Sequence, residues 1–239
     1  MIVLDEVDST NAEARRRAEA GARGPLWITA ARQTAGRGRR ERSWETGDGN
    51  LAATLLMPAD RSPAEMAQLS FVAALAAADL AKQFVPASLV SLKWPNDTLL
   101  AGAKVSGILI EASGGADGGW AAVGIGVNLK SEPREAMYPA TTFAGHMRAP
   151  PPTPLDALTI LAPAFDRWRG LWSREGFEPI AGAWMAMAHG LGEPCKATVA
   201  NEVVEGLAEG LDNDGAFRIR RPDGQLRRVT AGDVFFGAA

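Results

Sequence analysis

The pattern of apolar and polar residues changes at His189-Gly190, and this change constrains the fold more than any other feature. Before it, apolar runs of strand length alternate with segments whose apolar residues recur every three or four positions, as they do in helices. After it, residues 195–236 alternate as short strands separated by turns such as Asp212-Asn213-Asp214-Gly215. The sequence therefore predicts an α+β domain over residues 1–188 and a small all-β barrel over residues 189–239.

Local signals predict the individual helices and strands of the first domain. Asp8-Ser9-Thr10-Asn11 is a cluster of N-cap residues, and the helix formers that follow it end at Gly21. Ser62-Pro63 opens a second helix, because proline favours the first helical position. Strands are expected at 26–31, 51–57, 90–92, 98–100, 105–112 and 120–127, and further helices at 158–172 and 179–188.

Composition excludes several classes of protein. Of the 239 residues, 46% are hydrophobic and 22% are charged, which is typical of a globular protein rather than a disordered one. Because Cys195 is the only cysteine, we expect no internal disulfide and no Cys/His zinc cluster. The formal charge of -3 predicts no bulk attraction to nucleic acid. The start lacks a signal peptide and the apolar run Phe71 to Leu80 is too short for a membrane span, so we expect a cytoplasmic protein without a membrane partner.

Four arginines lie in the segment Gly36-Arg37-Gly38-Arg39-Arg40-Glu41-Arg42, called here the arginine loop, between two predicted strands. Glycine lets a ligand approach the backbone, and arginine offers fixed donors that suit carboxylate and phosphate oxygens. The loop therefore favours a small anionic ligand, although a solvated loop or a weak nucleic-acid patch has the same composition. Trp44, two residues beyond the loop, either stacks on a nucleobase or anchors the loop.

A second group of polar residues, Lys93-Trp94-Pro95-Asn96-Asp97, follows a predicted strand. Asp97 suits Mg²⁺, which prefers one or two carboxylates together with substrate phosphates, but Asn-Asp after proline is also ordinary turn chemistry. Lys104 begins a strongly apolar strand, where its ammonium either pairs with an oxyanion or is solvated like most surface lysines. Gly124-Ile125-Gly126-Val127-Asn128 predicts close approach of another group to a strand end.

Taken in order along the chain, these segments resemble the motifs of biotin–protein ligases. The matching segments are Asp8-Ser9-Thr10-Asn11, Gln33 with the arginine loop, Lys93 to Asp97, Lys104 with Gly107 to Glu111, and Gly124 to Asn128. The resemblance covers essentially the whole chain. It implies a mixed-sheet catalytic domain of the biotin/lipoate ligase type, followed by a small SH3-like β-barrel.

The same resemblance implies a reaction in two steps, with biotin and ATP as substrates and Mg²⁺ as a cofactor. The carboxylate of biotin attacks the α-phosphate of ATP, which gives biotinyl-5′-AMP and pyrophosphate. A lysine of the biotin carboxyl carrier domain of a carboxylase then accepts the biotinyl group as an amide. Because both partners in the first step are anions, the site must neutralise them and hold them in line.

The resemblance also implies a role for each matching residue. The residues implied to be catalytic are Lys104, Arg39 and Arg37. Those implied to bind biotin are Ser9, Thr10, Asn11, Gln33, Arg37, Gly38, Arg39, Lys104 and Gly107. Those implied to bind ATP are Arg40, Arg42, Trp44, Lys93, Asn96 and Asn128, and Asp97 is implied to hold Mg²⁺.

The sequence departs from the family pattern at one position of the arginine loop. The family loop usually reads Gly-Arg-Gly-Arg-Arg-Gly-Arg, and here Glu41 replaces its third glycine. Some members also carry an N-terminal helix-turn-helix domain that represses transcription. Because the first motif already begins at Asp8, we expect a ligase without DNA binding. The sequence leaves open whether the protein forms a homodimer.

Two other functions fit the same general pattern. One is a lipoate or octanoate ligase or transferase of the same broad fold, against which the basic loop and the C-terminal barrel argue. The other is an inactive biotin-binding or nucleotide-binding module, which Lys104, Asp97 and the arginines disfavour. RNA binding by the arginine loop is also disfavoured, because stacking platforms are sparse in a chain with one tyrosine.

Overall fold

A computed structural model describes residues 1–114, 118–133, 138–199 and 202–237. The first part of the chain is built on strands β1 (Ile2–Val7), β2 (Leu26–Gln33), β3 (Leu51–Ala59), β4 (Val90–Lys93), β5 (Asp97–Leu100), β6 (Ala103–Ser113) and β7 (Gly119–Val127). Its helices are α1 (Thr10–Glu19), α2 (Pro63–Ala67), α3 (Leu69–Lys82), α4 (Pro154–Glu175) and α5 (Glu178–Met185). The C-terminal part comprises β8 (Pro194–Val199), β9 (Glu202–Leu211), β10 (Phe217–Arg220), β11 (Leu226–Val229) and β12 (Asp233–Phe236).

The larger sheet is mixed and has the strand order β1-β2-β3-β7-β6-β5-β4. Only β1 and β2 pair in parallel among its described strands, and the other neighbours are antiparallel. The C-terminal strands form an antiparallel sheet in the order β11-β10-β9-β8-β12. The predicted α+β fold, with a mixed sheet followed by a small β domain, is confirmed.

The two faces of the larger sheet bury different helices, because side chains alternate between faces along each strand. In β3, Leu55 joins the main core with α3, α4 and α5, whereas Leu56 packs with Ala14 and Ala18 of α1 on the other face. The main core continues into the C-terminal sheet, where Phe217 is fully buried. Both sheets therefore share one hydrophobic core.

Helix α1 begins where the N-cap cluster predicted, and the charged side chain of Asp8 holds the first residues of the helix in place. Ser9 is the N-cap residue with extended backbone, although its side chain makes no capping hydrogen bond. Asp8 accepts two hydrogen bonds from Arg16, at 2.7 and 2.8 Å, and one from the Ser9 backbone N–H at 2.7 Å. The hydrogen bonds from Arg16 lower the pKa of Asp8 to about 2. The carboxylate therefore stays ionised and holds the start of the helix over the sheet.

Several element boundaries differ from those predicted. The edge strand β1 and the last strand β12 were not predicted; β1 has no buried residue and β12 has one. The predicted helix at 179–188 ends at Met185.

The membrane argument based on the run Phe71 to Leu80 was wrong about length. Helices α2 and α3 together span Pro63–Lys82, 20 residues with a mean hydropathy of 1.3, which is long and apolar enough to cross a membrane. Of its most apolar stretch, 72% is buried inside the protein. Its apolar character is that of a core helix.

Candidate active site

A cavity of about 400 Å³ opens where the start of α1, the arginine loop and strands β5, β6, β7 and β12 meet. Fifteen of the sixteen residues proposed from the sequence line it: Ser9, Thr10, Asn11, Gln33, Arg37, Gly38, Arg39, Arg42, Trp44, Lys93, Asn96, Asp97, Lys104, Gly107 and Asn128. Arg40 is the exception, and its side chain is 41% exposed where it pairs with Asp233. Folding therefore brings together motifs that lie up to 119 positions apart, from residue 9 to residue 128.

One end of the cavity is a network of uncharged polar groups at the start of α1. The Gln33 Oε1 atom accepts from the backbone N–H of Thr10 at 2.8 Å and from its hydroxyl at 3.1 Å. The Gln33 Nε2 atom donates to the hydroxyl of Thr46 at 2.9 Å, which fixes the orientation of the amide. Such a network suits a ligand with a polar, uncharged head group.

Asn11 extends this network to the carboxylate of Glu111, for which the sequence predicted no role. Its Nδ2 atom donates to Glu111 at 2.7 Å, and its Oδ1 atom lies 2.7 Å from the Thr54 hydroxyl. Thr54 is also 2.8 Å from the Thr10 hydroxyl, so its single proton serves one of the two acceptors at a time. Arg37 of the arginine loop pairs with Glu111 at 3.0 Å.

Three glycines of β6 and β7 are needed because side chains of the site lie directly on the sheet. A Cβ atom at Gly126 would approach the Trp44 ring to 2.4 Å, and one at Gly107, its cross-strand partner, would approach it to 3.0 Å. A Cβ atom at Gly124 would approach Asn11 Oδ1 to 2.1 Å. The close approach predicted for Gly124 to Asn128 is thus made by two side chains of the protein itself.

A lysine–carboxylate pair lies in the middle of the cavity. Lys104 Nζ is 2.5 Å from Asp97 Oδ1, and both side chains are largely buried. The same ammonium lies 5.8 Å from the centre of the Trp44 ring. Asn96 donates to the Ile108 carbonyl at 2.7 Å and accepts from Arg39 at 3.3 Å. The ammonium of Lys104 is therefore placed between the tryptophan and the strand-end carboxylate, where an anionic ligand would meet it.

The arginine loop is held by the C-terminal sheet. The carboxylate of Asp233, in β12, pairs with Arg39 at 3.6 Å, with Arg40 at 3.1 Å and with Arg42 at closer range. Arg39 also donates to the Gly232 carbonyl at 3.0 Å. Burial lowers the pKa of Arg39, although a guanidinium remains charged. Partial burial alone would lower the pKa of Arg42 too, but the interactions with Asp233 and Tyr138 together outweigh it and the pKa is raised.

Lys93 lies against aromatic rings at the edge of the cavity. Its ammonium is 4.7 Å from the centre of the Tyr138 ring and 5.7 Å from that of Phe235. Burial lowers the pKa of Lys93, and the charge of Asp97 opposes that shift. A partly desolvated cation of this kind has a strong electrostatic interaction with a ligand anion.

The protein donors near Asp97 fit Mg²⁺ only in combination with a ligand. No group of three or more His, Cys, Asp or Glu side chains that could hold a metal occurs in the described ranges. Asp97 contributes one carboxylate, and Lys104 already pairs with it. Because Mg²⁺ is commonly bound by one or two carboxylates plus substrate phosphates, this donor set suits an ion that arrives with a nucleotide.

The family of the chain follows from comparison with known proteins. Residues 3–128 match the model of the biotin/lipoate A/B protein ligase family, and residues 190–237 match that of the biotin protein ligase C terminal domain. The chain belongs to the biotin/lipoate A/B protein ligase family. The family assignment made from the ordered motifs is confirmed, and the protein is a ligase of this family.

Relatives of this ligase match along its whole length. It is 44% identical to a biotin–[acetyl-CoA-carboxylase] ligase of Paracoccus denitrificans, covering 98% of this chain and 100% of the relative. It is 28% identical to the bifunctional ligase/repressor BirA of Escherichia coli, covering 99% of this chain and 74% of that one. The biotin protein ligase from Aquifex aeolicus in complex with biotin and ATP superposes with a TM-score of 0.83 at 26% identity, covering 100% of this chain and 98% of that one.

Four residues that contact the proposed site residues were not proposed from the sequence. They are Thr54, Glu111, Tyr138 and Asp233. Glu111 is the last residue of the motif Gly107 to Glu111. A carboxylate at the end of such an apolar strand indicates a candidate site residue. Asp233 carries no such signal, because its partners lie more than 190 positions earlier in the chain.

Proposed function

We propose that this chain is an ATP-dependent biotin–protein ligase that forms biotinyl-5′-AMP and transfers the biotinyl group to a lysine of a biotin carboxyl carrier domain. The observation that carries the proposal is the cavity itself. An uncharged polar network lies at one end, cationic side chains lie at the other, and Lys104 lies between them. The name of the Paracoccus relative, at 44% identity, points to the same reaction.

In the first step, a carboxylate oxygen of biotin bonds to the α-phosphorus of ATP, and the bond to the bridging oxygen breaks to release pyrophosphate. The polar network of Ser9, Thr10, Asn11 and Gln33 binds the head group of biotin, with Gly38 and Gly107 along its path. Lys104 contacts the biotin carboxylate and offsets the charge that develops at phosphorus. Arg37 and Arg39 fold over the reacting groups and hold the two anions together.

The nucleotide takes the other end of the cavity. Trp44 packs against adenine, and Asn96 and Asn128 bond nucleotide polar groups. Arg42 and Lys93 pair with phosphates, which means that Arg42 exchanges part of its interaction with Asp233 for a phosphate oxygen. Arg40 reaches the phosphates only if it leaves Asp233 as well. Mg²⁺ would be held by Asp97 and the phosphates, where it supplies further charge neutralisation.

In the second step, the amine of the acceptor lysine attacks the acyl carbon of biotinyl-AMP. A C–N bond forms, the acyl C–O bond to AMP breaks, and the amine loses a proton. No residue of the chain needs to be acylated, which agrees with the burial of its single cysteine, Cys195. We place the acceptor approach next to Lys104, because the acyl group lies there at the end of the first step.

The alternatives are weaker on specific grounds. A lipoate or octanoate ligase shares the family of residues 3–128, but the match over 190–237 is to the C-terminal domain of biotin ligases. An inactive binding module has no need for the buried pair of Lys104 and Asp97 beside the arginine loop. We further propose that the protein works in the cytoplasm, without nucleic acid or membrane as a partner. We also propose that its catalytic domain comprises residues 1–188 and its C-terminal domain residues 189–239.

The deciding experiment is transfer of radiolabelled biotin to a purified carrier domain with ATP and Mg²⁺. Wild-type protein should transfer biotin, and Lys104→Ala and Arg39→Ala should each lose activity by about 100-fold or more, the usual loss for a group that stabilises developing charge. Lys82→Ala, on α3 away from the cavity, is the matched control. A Lys104→Ala enzyme with unchanged activity would overturn the site, and transfer of lipoate in preference to biotin would overturn the substrate.

A further inference from the structure

Glu111 joins two parts of the site that belong to different elements. From the end of β6, its Oε2 atom accepts from Asn11 Nδ2, on α1, at 2.7 Å. Arg37, the first arginine of the loop, donates from one nitrogen to both carboxylate oxygens at 3.0 and 3.2 Å. One carboxylate therefore links the polar network at the start of α1 to the arginine loop.

At the start of α1, this contact, together with a longer one of 3.4 Å from the same Nδ2 atom to the Leu109 carbonyl, determines which way the Asn11 amide points. Its Nδ2 atom faces the carboxylate, and its Oδ1 atom faces the Thr54 hydroxyl at 2.7 Å. A flipped amide would bring its oxygen against the carboxylate of Glu111, which has no proton to donate when ionised. Gly124 leaves just enough room for this orientation, since a Cβ atom there would lie 2.1 Å from Asn11 Oδ1. Asn11 lines the cavity, so a ligand there meets an amide whose orientation is already fixed.

In the loop, the same contact fixes the position of Arg37. About one third of its side chain and just over one quarter of that of Glu111 are exposed, so water screens the pair only in part. Arg37 also forms an isolated antiparallel bridge with Ser43, across the base of the loop. Holding Arg37 therefore holds the base of the whole arginine loop. Because Glu111 compensates its charge, Arg37 contributes to closure more than to neutralising the phosphate.

Resting on the proposed function, we propose that Glu111 is a positioning residue that couples recognition of the biotin head group to closure of the arginine loop. It acts through Asn11 and Arg37 and does not touch the reacting atoms. Its removal weakens capture of biotin and retention of biotinyl-AMP. The chemical step is left nearly intact, because the pair of Lys104 and Asp97 does not depend on it.

The test compares wild type with Glu111→Gln and with Glu6→Gln as matched control. Glu6 pairs with Arg32 across β1 and β2 at 3.0 Å on the exposed surface. For Glu111→Gln, we expect the KM for biotin to rise about tenfold and biotinyl-AMP to dissociate about tenfold faster, because one charge-assisted contact is lost. The value of kcat should change by less than about threefold. Glu6→Gln should match wild type in KM, in the rate of adenylate release and in kcat.

Two further measurements separate positioning from a merely structural role. Trypsin should cut the arginine loop of biotin-bound Glu111→Gln several times faster than that of biotin-bound wild type, with an unchanged melting temperature. In a double-mutant cycle with Arg37→Met, the two effects on KM should be strongly non-additive, since both substitutions break one unit. Glu111→Asp keeps the charge on a shorter side chain, so its KM for biotin and its rate of adenylate release should lie between those of wild type and Glu111→Gln. It serves as the test variant if Glu111→Gln does not fold.

Three results would contradict the proposal. The first is a wild-type KM for biotin and a wild-type rate of adenylate release in Glu111→Gln. The others are a large fall in kcat at unchanged KM, and additive effects in the double-mutant cycle with Arg37→Met. A failure of the proposed function looks different, because wild type itself would then form no biotinyl-adenylate from biotin and ATP.

Discussion

At the scale of single residues, the site depends on positions where a side chain is absent as much as on those that carry charge. Trp44 can lie flat on the sheet only because Gly107 and Gly126 face it from neighbouring strands. The tryptophan, which we propose packs against adenine, lies within 6 Å of the ammonium of Lys104. Glycine at these two strand positions is therefore explained by the packing of the Trp44 ring.

Gly126→Ala should displace Trp44, because the new Cβ atom would lie 2.4 Å from Cε2 of the ring, inside any tolerable contact distance. We expect the KM for ATP to rise at least tenfold and the KM for biotin to change much less, which steady-state kinetics will measure. Gly114→Ala, where no atom lies within 4 Å of the added Cβ, is the control. Equal changes in both KM values would count against a nucleotide-side role for Trp44.

Glu41 occupies a glycine-like backbone conformation. Its φ is +58° and that of Arg40 is +54°, in the left-handed region that costs a non-glycine residue about 1–2 kcal/mol. Glu41→Gly should relieve part of this cost, keep activity, and slow the release of biotinyl-AMP by severalfold in a chase experiment. Faster release from the variant than from wild type would show that the glutamate itself helps to hold the loop.

At the scale of elements, β12 completes the site from outside the larger sheet. Asp233 is mostly buried and faces three arginines that would otherwise repel one another across the cavity mouth. A strand of four residues thus supplies the counter-charge for the arginine loop. This contact gives the C-terminal domain a role at the site that its sequence does not show.

Asp233→Asn should loosen the arginine loop, because the three guanidinium groups lose their shared counter-charge. We expect faster tryptic cleavage of residues 36–49 and severalfold faster loss of biotinyl-AMP, with the secondary structure unchanged by circular dichroism. Asp212→Asn is the control, since Asp212 pairs with Arg228 within the C-terminal sheet and does not line the cavity. Identical cleavage rates for the Asp233 variant and wild type would rule out this role.

At the scale of the whole molecule, the two sheets behave as one packed unit. Trp94, only 3% exposed, donates to the Gly215 carbonyl at 3.0 Å and packs 5.6 Å from the ring of Phe217. Phe71 of α3 packs against Trp184 and Phe177 close to the same turn, where a Cβ atom on Gly215 would lie 2.8 Å from it. Unfolding either sheet exposes apolar surface of the other.

We therefore expect a single cooperative unfolding transition in calorimetry. Trp94→Phe should lower the free energy of unfolding by ~1–3 kcal/mol, because it leaves the buried Gly215 carbonyl without its donor, while the transition stays single. Trp168→Phe, which loses a bond to Asp79 at a half-buried position, should cost less. Two separate transitions in wild type would show that the domains unfold independently.

Local periodicity and motifs with characteristic residue types were enough to predict the class of fold, most element positions and about half of the cavity-lining residues. N-cap residues placed the start of α1, and fifteen proposed residues line one cavity. The tertiary structure alone decided which charges compensate one another. Glu111 with Arg37 and Asp233 with the arginine loop are pairs from distant segments, and no local pattern encodes them. Their energies depend on distance and burial, which exist only once the chain has folded.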